Sequence, residues 1–456
     1  MEKHKKYKKS YGSSEVYWGL GIEEETYVQF TKPIYVAAPI FRTCHNSERY
    51  SVKYFDNYKE SYTIPLTQLF PDTSGCIPVP LFMNSHGFQR MDVKGVHRTT
   101  YEKVPKPNPK FAGQSFFELL QLFQPKIFQE GYDTWFIFDG DTIEFMTQHF
   151  YKTSVKKCIK ELIDYKKIFL QALNEYIQRN GIFREKGLLQ YPPCNPGFVI
   201  HTTNPGNISM FNNGTYHINI TLPTYLGISG EIVYPEKFRS DHQRFLRLVQ
   251  WLQPFLVLDY GTPDPFSKVS KVYSKASQRA AISRYIGLGT FDTVTMPEGK
   301  CNTLPLTQIP AALSEFWWYS KYHETSGYNA LEALGMDINY KKHFQHGCEL
   351  RFLDWFPENR LEKLLEILVC LAEASTVLPL APPAPLQQSW NDCVLGIMTE
   401  GKEFCLSEPI QGAYEKHFRM DFRGNYGKSV KEIWEEIVKN LLQYKSGRIP
   451  KYFLGL

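Results

Sequence analysis

Apolar and polar side chains alternate along several short segments of the chain, as in strands that bury one face. In the segment from Thr215 to Leu222, every second residue from Tyr216 onward is apolar, while His217 and Asn219 take the other face. Asp139-Gly140 separates two more of these segments and predicts a hairpin. The predicted strands are PIYVAAPIF (33–41), WFIF (135–138), TIEFMT (142–147) and TYHINITL (215–222).

Longer segments carry apolar residues at helical spacing. The clearest runs from Ser154 to Arg179, and further helices are predicted at 241–252 and 360–373. A last helix follows Ser429, which forms a capping box with Glu432. Long helices that follow hairpin-like strands favour an α+β fold with a largely antiparallel sheet.

The composition is that of a folded chain with a large core, because 43% of its 456 residues are hydrophobic and 15% are aromatic. The N-terminal segment MEKHKKYKKS is basic but is followed by no apolar h-region, so we expect residues 1–15 to be a disordered tail and not a secretory signal. We expect residues 16–456 to form a single domain with loop insertions at 81–110 and 378–395.

Charge and cysteine usage narrow the possible partners. A net charge of +5 is small for this length and gives no sign of a nucleic-acid surface. The nine cysteines are scattered singly, without a CxxC pair, which predicts reduced thiols in the cytoplasm and no zinc site. Acidic residues and prolines interrupt the most apolar run, at 364–380, so no membrane span is expected.

Acidic residues are concentrated in the stretch GLGIEEETYV near the start of the chain. In a strand, Glu23 and Glu25 share one face, and Ile22, Glu24 and Thr26 take the other. By itself, such a pair is more often a solvated strand face than a site. The face formed by His217 and Asn219 repeats the arrangement, and this makes a common polar surface on the sheet the stronger hypothesis.

Further polar residues fall within apolar surroundings. Glu144 lies in the predicted strand TIEFMT, and Glu349 and Arg351 share one face of the segment ELRFLD, where a structural salt bridge is the simpler alternative. Asp139 and Asp141 flank a glycine, and a turn accounts for at least one of them.

Several carboxylates joined by one imidazole suit a hard divalent ion such as Mg²⁺, which shares its ligands with phosphate oxygens. Mg²⁺-ATP is therefore the expected ligand. The chain has no GxxxxGK[ST] loop and no GxGxxG turn, so ATP would bind outside a P-loop or Rossmann site.

These motifs resemble those of the glutamate-cysteine ligases and related carboxylate-amine ligases, which share the glutamine synthetase-like fold. The matching segments are GIEEETYV for the family's Gly-Ile/Val-Glu-x-Glu strand, TYHINITL for His-x-Asn, ELRFLD for Glu-x-Arg-x-x-Asp, RFLRLVQWLQPFLVLDYGTPDPF for a helix ending in a Gly-x-Pro loop, and SQRAAISRYIGLGTFDT for a Ser-x-Arg segment. They occur in the family's order, from about Gly19 to Ser375, with wide unmatched stretches between them.

The resemblance implies an antiparallel sheet that carries the active site, with helices on its outer face, and two or three Mg²⁺ ions. It implies metal ligands at Glu23, Glu25, Glu144, His217 and Glu349. It also implies contacts to ATP or substrate at Asn219, Arg351 and either Arg279 or Arg284, with Arg279 and Arg351 in catalytic roles.

One departure from the family concerns the metal ligands. The family usually has a further acid before the position of Glu144, where this chain has the apolar WFIF. Asp139 or Asp141 must substitute, or that ligand is missing.

The activity that the resemblance implies is ATP-dependent formation of an amide through an acyl phosphate. Its substrates would be ATP and small amino acids, with glutamate and cysteine as the leading pair, as in glutathione biosynthesis. Two alternatives stay open. Asp139, Asp141 and Glu144 could belong to a metal-dependent phosphohydrolase or nuclease, or the scaffold could be a non-catalytic binding protein derived from the ligase fold.

Overall fold

The structure is a computed structural model of the 456-residue chain. The residues it describes are 15–32, 40–42, 62–64, 116–139, 142–181, 187–195, 199–200, 208–209, 214–263, 265–268, 274–277, 290–296, 337–342, 346–422 and 426–456. The basic tail up to residue 14, the insertion at 81–110, Asp141, Arg279 and Arg284 lie outside them.

A six-stranded sheet forms the centre of the described fold, and every neighbouring pair of its strands is antiparallel. In spatial order, its strands are β11 (Ile338–Tyr340), β12 (Cys348–Asp354), β10 (Thr215–Tyr225), β1 (Val16–Thr26), β6 (Thr142–Met146) and β5 (Phe136–Asp139). Three two-stranded sheets pair β2 (Gln29–Phe30) with β7 (Leu189–Gln190), β3 (Ile40–Arg42) with β4 (Tyr62–Ile64), and β8 (Val199–Ile200) with β9 (Ile208–Ser209).

Helices cover the face of the central sheet that carries its apolar residues. The described α-helices are α1 (Phe116–Phe123), α2 (Pro125–Phe128), α3 (Val155–Asn180), α4 (Pro235–Tyr260), α5 (Leu361–Val377), α6 (Gln388–Glu400), α7 (Glu408–Phe418), α8 (Val430–Leu442) and α9 (Arg448–Leu454). Leu20, Ile22 and Ile218 of the sheet join one buried cluster with Phe169 of α3 and Leu252 of α4. The architecture is thus mixed α/β with an antiparallel central sheet, as the sequence predicts.

The glycines of β1 are explained by the ring of Phe150, which lies against the other face of the strand. A Cβ atom at Gly19 would come within 2.1 Å of that ring, and one at Gly21 within 3.1 Å. Because side chains alternate along a strand, Glu23 and Glu25 project from this same face beyond the aromatic ring. On this face of β1, Gly19 and Gly21 therefore allow close packing against Phe150, and Glu23 and Glu25 then present carboxylates.

Helix boundaries follow local capping signals. Ser154 accepts a hydrogen bond from the Lys157 N–H at the start of α3, and Gly181 ends that helix with a positive φ of 63°. The predicted capping box of Ser429 and Glu432 is present at the start of α8. Among the helices that the structure describes, none has both the length and the apolar character that a membrane crossing requires.

Several predicted boundaries are corrected. The helix predicted at 241–252 extends over Pro235–Tyr260, because its buried apolar residues continue to Tyr260. The insertion predicted at 378–395 is wrong in its second half, since α6 begins at Gln388 and buries Trp390 and Cys393. Of the strand predicted at 33–41, only its end is described, within Ile40–Arg42.

Candidate metal and phosphate site

Four strands bring the predicted polar residues together on the face opposite the helices. Glu23 on β1 is paired with His217 on β10, and Asn219 of β10 is paired with Glu349 on β12. On the other side of β1, Glu25 is paired with Glu144 on β6. Residues that are far apart in the sequence thus become direct cross-strand neighbours.

Glu23, His217 and Glu349 form the closest group. The Nδ1 atom of His217 lies 3.4 Å from Oε2 of Glu23 and 3.5 Å from Oε1 of Glu349. One ligand atom from each of these residues lies within 4.8 Å of the other two. The Glu349 carboxylate is fully buried, and the side chain of Glu23 is 13% exposed. Among the described residues, this is the group of carboxylate and imidazole ligands close enough to share one ion.

Glu25 and Glu144 extend the acidic surface toward β6. Oε1 of Glu25 lies 3.7 Å from Nε2 of His217, so each of the two imidazole nitrogens faces at least one carboxylate. Glu25 and Glu144 are 7% and 8% exposed. Because buried carboxylates in one patch repel each other, this concentration of charge requires compensating cations.

Compensating cations lie at the β12 side of the surface. The Nζ atom of Lys342 is 3.1 Å from both carboxylate oxygens of Glu349, and NH1 of Arg351 donates to Oε2 of Glu349 at 3.2 Å. Burial disfavours both positive charges, but the carboxylates outweigh it: Glu23 and Glu349 raise the pKa of Lys342, and Glu349, Glu25 and Glu23 raise that of Arg351.

Asn219 supplies a neutral oxygen at the centre of the surface. Its Nδ2 donates to Oε1 of Glu23 at 3.3 Å, and the residue is 1% exposed. Within the described part of the chain, its Oδ1 atom has no hydrogen-bond partner. Since a buried amide oxygen without a partner is costly, an ion at this position would relieve the cost. Carboxylate and amide oxygens with one imidazole fit a divalent cation such as Mg²⁺ or Mn²⁺.

Sequence reasoning missed Lys342 and Asn339. The Nδ2 of Asn339 donates to Oε2 of Glu349 at 2.7 Å, from the neighbouring edge strand β11. Asn339 alternates with Ile338 and Tyr340 in a short strand, which is a weak signal for a site. Lys342 lies just beyond that strand and has no periodic pattern that could reveal it.

Asp354, the last residue of the ELRFLD motif, has a positioning role. Its Oδ2 atom accepts the backbone N–H of Thr262 at 2.9 Å and the hydroxyl of Ser277 at 2.5 Å. Thr262 lies in the Gly-x-Pro loop after α4, and Ser277 is two residues before Arg279. The end of β12 is therefore tied to both segments that follow α4.

Glu24 lies on the helix-covered face of β1, between the two site glutamates. Its Oε1 atom accepts from Nζ of Lys166 on α3 and from Nε1 of Trp355, both at 2.8 Å. The side chains of Glu24 and Lys166 are 0% and 5% exposed. Lys166 also contacts Glu358, and although burial disfavours its charge, Glu24 and Glu358 raise its pKa. This buried ion pair fixes β1 from behind the acidic surface.

The other predicted site residues are not brought together by the described structure. Arg279, Arg284 and Asp141 lie outside the described residues. Asp139 ends β5, opposite Thr142 in the predicted hairpin, and its side chain is also outside the description.

Comparison with known proteins gives a family but no activity. No family model matches the chain. The chain is 38% identical over 398 residues to "Uncharacterized protein R704" of Acanthamoeba polyphaga mimivirus, and the alignment covers 87% of this chain and 69% of the viral protein. The chain therefore belongs to the same protein family as this viral protein.

Proposed function

We propose that the protein is an ATP-dependent carboxylate-amine ligase with a glutamine synthetase-like fold. The observation that supports this most is the grouping of Glu23, His217 and Glu349 on one face of an antiparallel sheet, with Arg351 at its edge. Glutamate as the carboxylate substrate and cysteine as the amine are the leading pair. The proposed compartment is the cytoplasm.

One divalent cation would be held by Glu23, His217 and Glu349, with Asn219 Oδ1 as a further oxygen ligand. A second divalent cation would be held by Glu25 and Glu144. When bound, Mg²⁺ ions would neutralise the negative charge of the ATP phosphates. The glutamates of this chain keep those ions on a rigid strand surface, and the Glu24–Lys166 pair stabilises that surface from the opposite face.

Arg351 is the proposed phosphate contact. Its side chain is 22% exposed, so the guanidinium can reach a ligand while Glu349 fixes its position. A guanidinium donates two parallel hydrogen bonds to phosphate oxygens and stays charged at every relevant pH. Arg279 or Arg284 is the proposed second phosphate contact.

In the proposed reaction, an oxygen of the substrate carboxylate attacks the terminal phosphorus of ATP, and ADP leaves. The amine nitrogen then attacks the acyl phosphate, phosphate leaves, and the nitrogen loses a proton to give the amide. In the first step, the negatively charged substrate carboxylate approaches the negatively charged phosphate of ATP. The cationic groups around Glu349, which are Lys342 and Arg351, would screen this repulsion and so lower the barrier of the step.

The test is mass spectrometry of the products formed from Mg²⁺-ATP, glutamate and a panel of amines. We expect ADP and a new amide with the wild type and with Glu236→Gln, a control at an exposed position on α4. Glu23→Ala should keep its fold, judged by circular dichroism, and form no ADP.

Unchanged turnover in folded Glu23→Ala would contradict the proposal. Phosphate release from nucleotides or nucleic acid without an acceptor amine would instead support a phosphohydrolase or nuclease. No ADP with any amine, and no Mg²⁺-dependent ATP binding, would support a non-catalytic scaffold.

A further inference from the structure

A pocket of about 630 Å³ lies between α4, α5 and α8, and none of the proposed ligase residues lines it. Six apolar side chains form its floor: Phe255, Leu258, Ile367, Trp434, Val438 and Leu442. Four lysines also line the pocket: Lys363, Lys402, Lys431 and Lys439. We call it the lysine-rimmed pocket. Its volume is within the range of roughly 300–1,000 Å³ that is common for small-molecule sites.

The floor of the pocket is preformed. The Trp434 indole stacks on Phe255 with the ring centroids 5.8 Å apart and the planes 11° from parallel. Its Nε1 donates to Oδ2 of Asp259 at 3.1 Å, which fixes the orientation of the ring. Leu258, Val438 and Leu442 are only partly buried, so they offer apolar surface that a ligand could cover.

The rim carries an excess of positive charge. Of the two acids at the pocket, Asp259 is held by Arg360 at 2.8 Å, and Glu435 lies 3.8 Å from Lys431. Lys363, Lys402 and Lys439 are exposed, and they have no ion pair with any residue in the described part of the chain. A ligand that balances this rim must be an anion.

We propose that the lysine-rimmed pocket binds an amphiphilic carboxylic acid, with its apolar body on the floor and its carboxylate among the lysines. Inorganic phosphate would leave the floor uncovered, and a neutral apolar molecule would leave the cationic rim unmatched. This site is independent of the proposed ligase activity.

Isothermal titration calorimetry of the full chain with hexanoate, heptanoate and octanoate tests the proposal. We expect saturable binding of one ligand per chain that tightens about fourfold per added methylene. Octanamide has a similar apolar body without the charge, and we expect it to bind about tenfold more weakly than octanoate, since each lysine contributes modestly.

Variants locate the site. The double variant Lys363→Glu/Lys439→Glu should weaken octanoate binding about tenfold or more, because it reverses two exposed rim charges. Val438→Trp should abolish binding by filling the pocket. Lys156→Glu, at an exposed position on α3, is the matched control and should bind as the wild type does.

Three results would overturn the proposal. They are equal binding of octanoate and octanamide, equal binding by the double variant and Lys156→Glu, and the absence of saturable binding to the wild type. The last result would mean that the lysines are solvated surface charges without a ligand.

Discussion

Removal of the Lys166 ammonium group should destabilise the fold strongly, because it leaves the Glu24 carboxylate buried without its cation. Glu24 is fully buried, and Lys166 Nζ lies 2.8 Å from its Oε1 atom. Breaking a buried ion pair from one side costs about 3–5 kcal/mol, since the remaining charge loses its partner but stays out of water. The contact of Lys166 with Glu358 adds little, because the Glu358 side chain is 41% exposed.

The substitution Lys166→Met keeps the length and the apolar stem of the side chain. We expect it to lower the free energy of unfolding by about 3–5 kcal/mol, measured by urea denaturation with far-UV circular dichroism at pH 7. Lys167→Met is the matched control on the next, exposed residue of α3, and we expect a change within about 0.5 kcal/mol.

The double variant Lys166→Met/Glu24→Gln separates charge from packing. A neutral glutamine can still accept the Trp355 N–H, so the double variant should be more stable than Lys166→Met alone. A loss of stability in Lys166→Met no larger than that in Lys167→Met would mean that the Glu24 carboxylate does not depend on the Lys166 ammonium group. Additive destabilisation by Lys166→Met and Glu24→Gln, each also measured as a single variant, would mean that the carboxylate and the ammonium group are not coupled.

Three further predictions concern single residues that stabilise the fold. Burial lowers the pKa of His242 from 6.5 to about 4, and its neutral ring accepts a hydrogen bond from the Leu222 N–H. As the pH falls, the unfolded chain therefore takes up a proton at this histidine before the folded chain does, and the free energy of unfolding should drop by about 3 kcal/mol between pH 6.5 and 4. Urea denaturation across this pH range should show that His242→Gln lacks this drop. Asp354→Asn should cost about 1–3 kcal/mol in urea unfolding, because the Thr262 N–H and Ser277 hydroxyl lose a charged acceptor, and wild-type stability would refute this role. Ser429→Ala should cost about 1 kcal/mol through loss of the α8 capping box, measured against the exposed control Lys431→Ala.

The two-residue alternation was enough to predict which side chains share a face. It placed Glu23 with Glu25, and Glu349 with Arg351, and the contacts of His217 and Glu349 agree with this grouping. It could not predict that β10 lies between β1 and β12, because strand order depends on long-range pairing that leaves no local pattern. That Glu23, His217 and Glu349 share one site was therefore expected only from the family resemblance, and the alternation alone could not bring them together.

The sequence contains no signal for Lys342, but it does contain a signal for Lys166. Lys342 lies two residues beyond the end of β11, where the two-residue alternation of a strand no longer predicts the direction of a side chain. Lys166 left a signal that could have been used, because it occupies the apolar stripe of α3 between Leu162 and Phe169. A lysine at a core position requires a buried acid, and Glu24 is the acid on the apolar face of β1.

If Glu23, His217 and Glu349 form a divalent-cation site, the protein should bind Mn²⁺ through these residues. Electron paramagnetic resonance of Mn²⁺, an ion that takes the same oxygen and imidazole ligands as Mg²⁺, measures this directly. We predict saturable Mn²⁺ binding to the wild type and to Glu236→Gln, and competition by Mg²⁺. Binding to Glu349→Gln should be at least about tenfold weaker, since loss of even an outer-shell partner weakens metal sites by about 10–100-fold. Equal Mn²⁺ binding by Glu349→Gln and Glu236→Gln would mean that Glu349 is not part of a divalent-cation site.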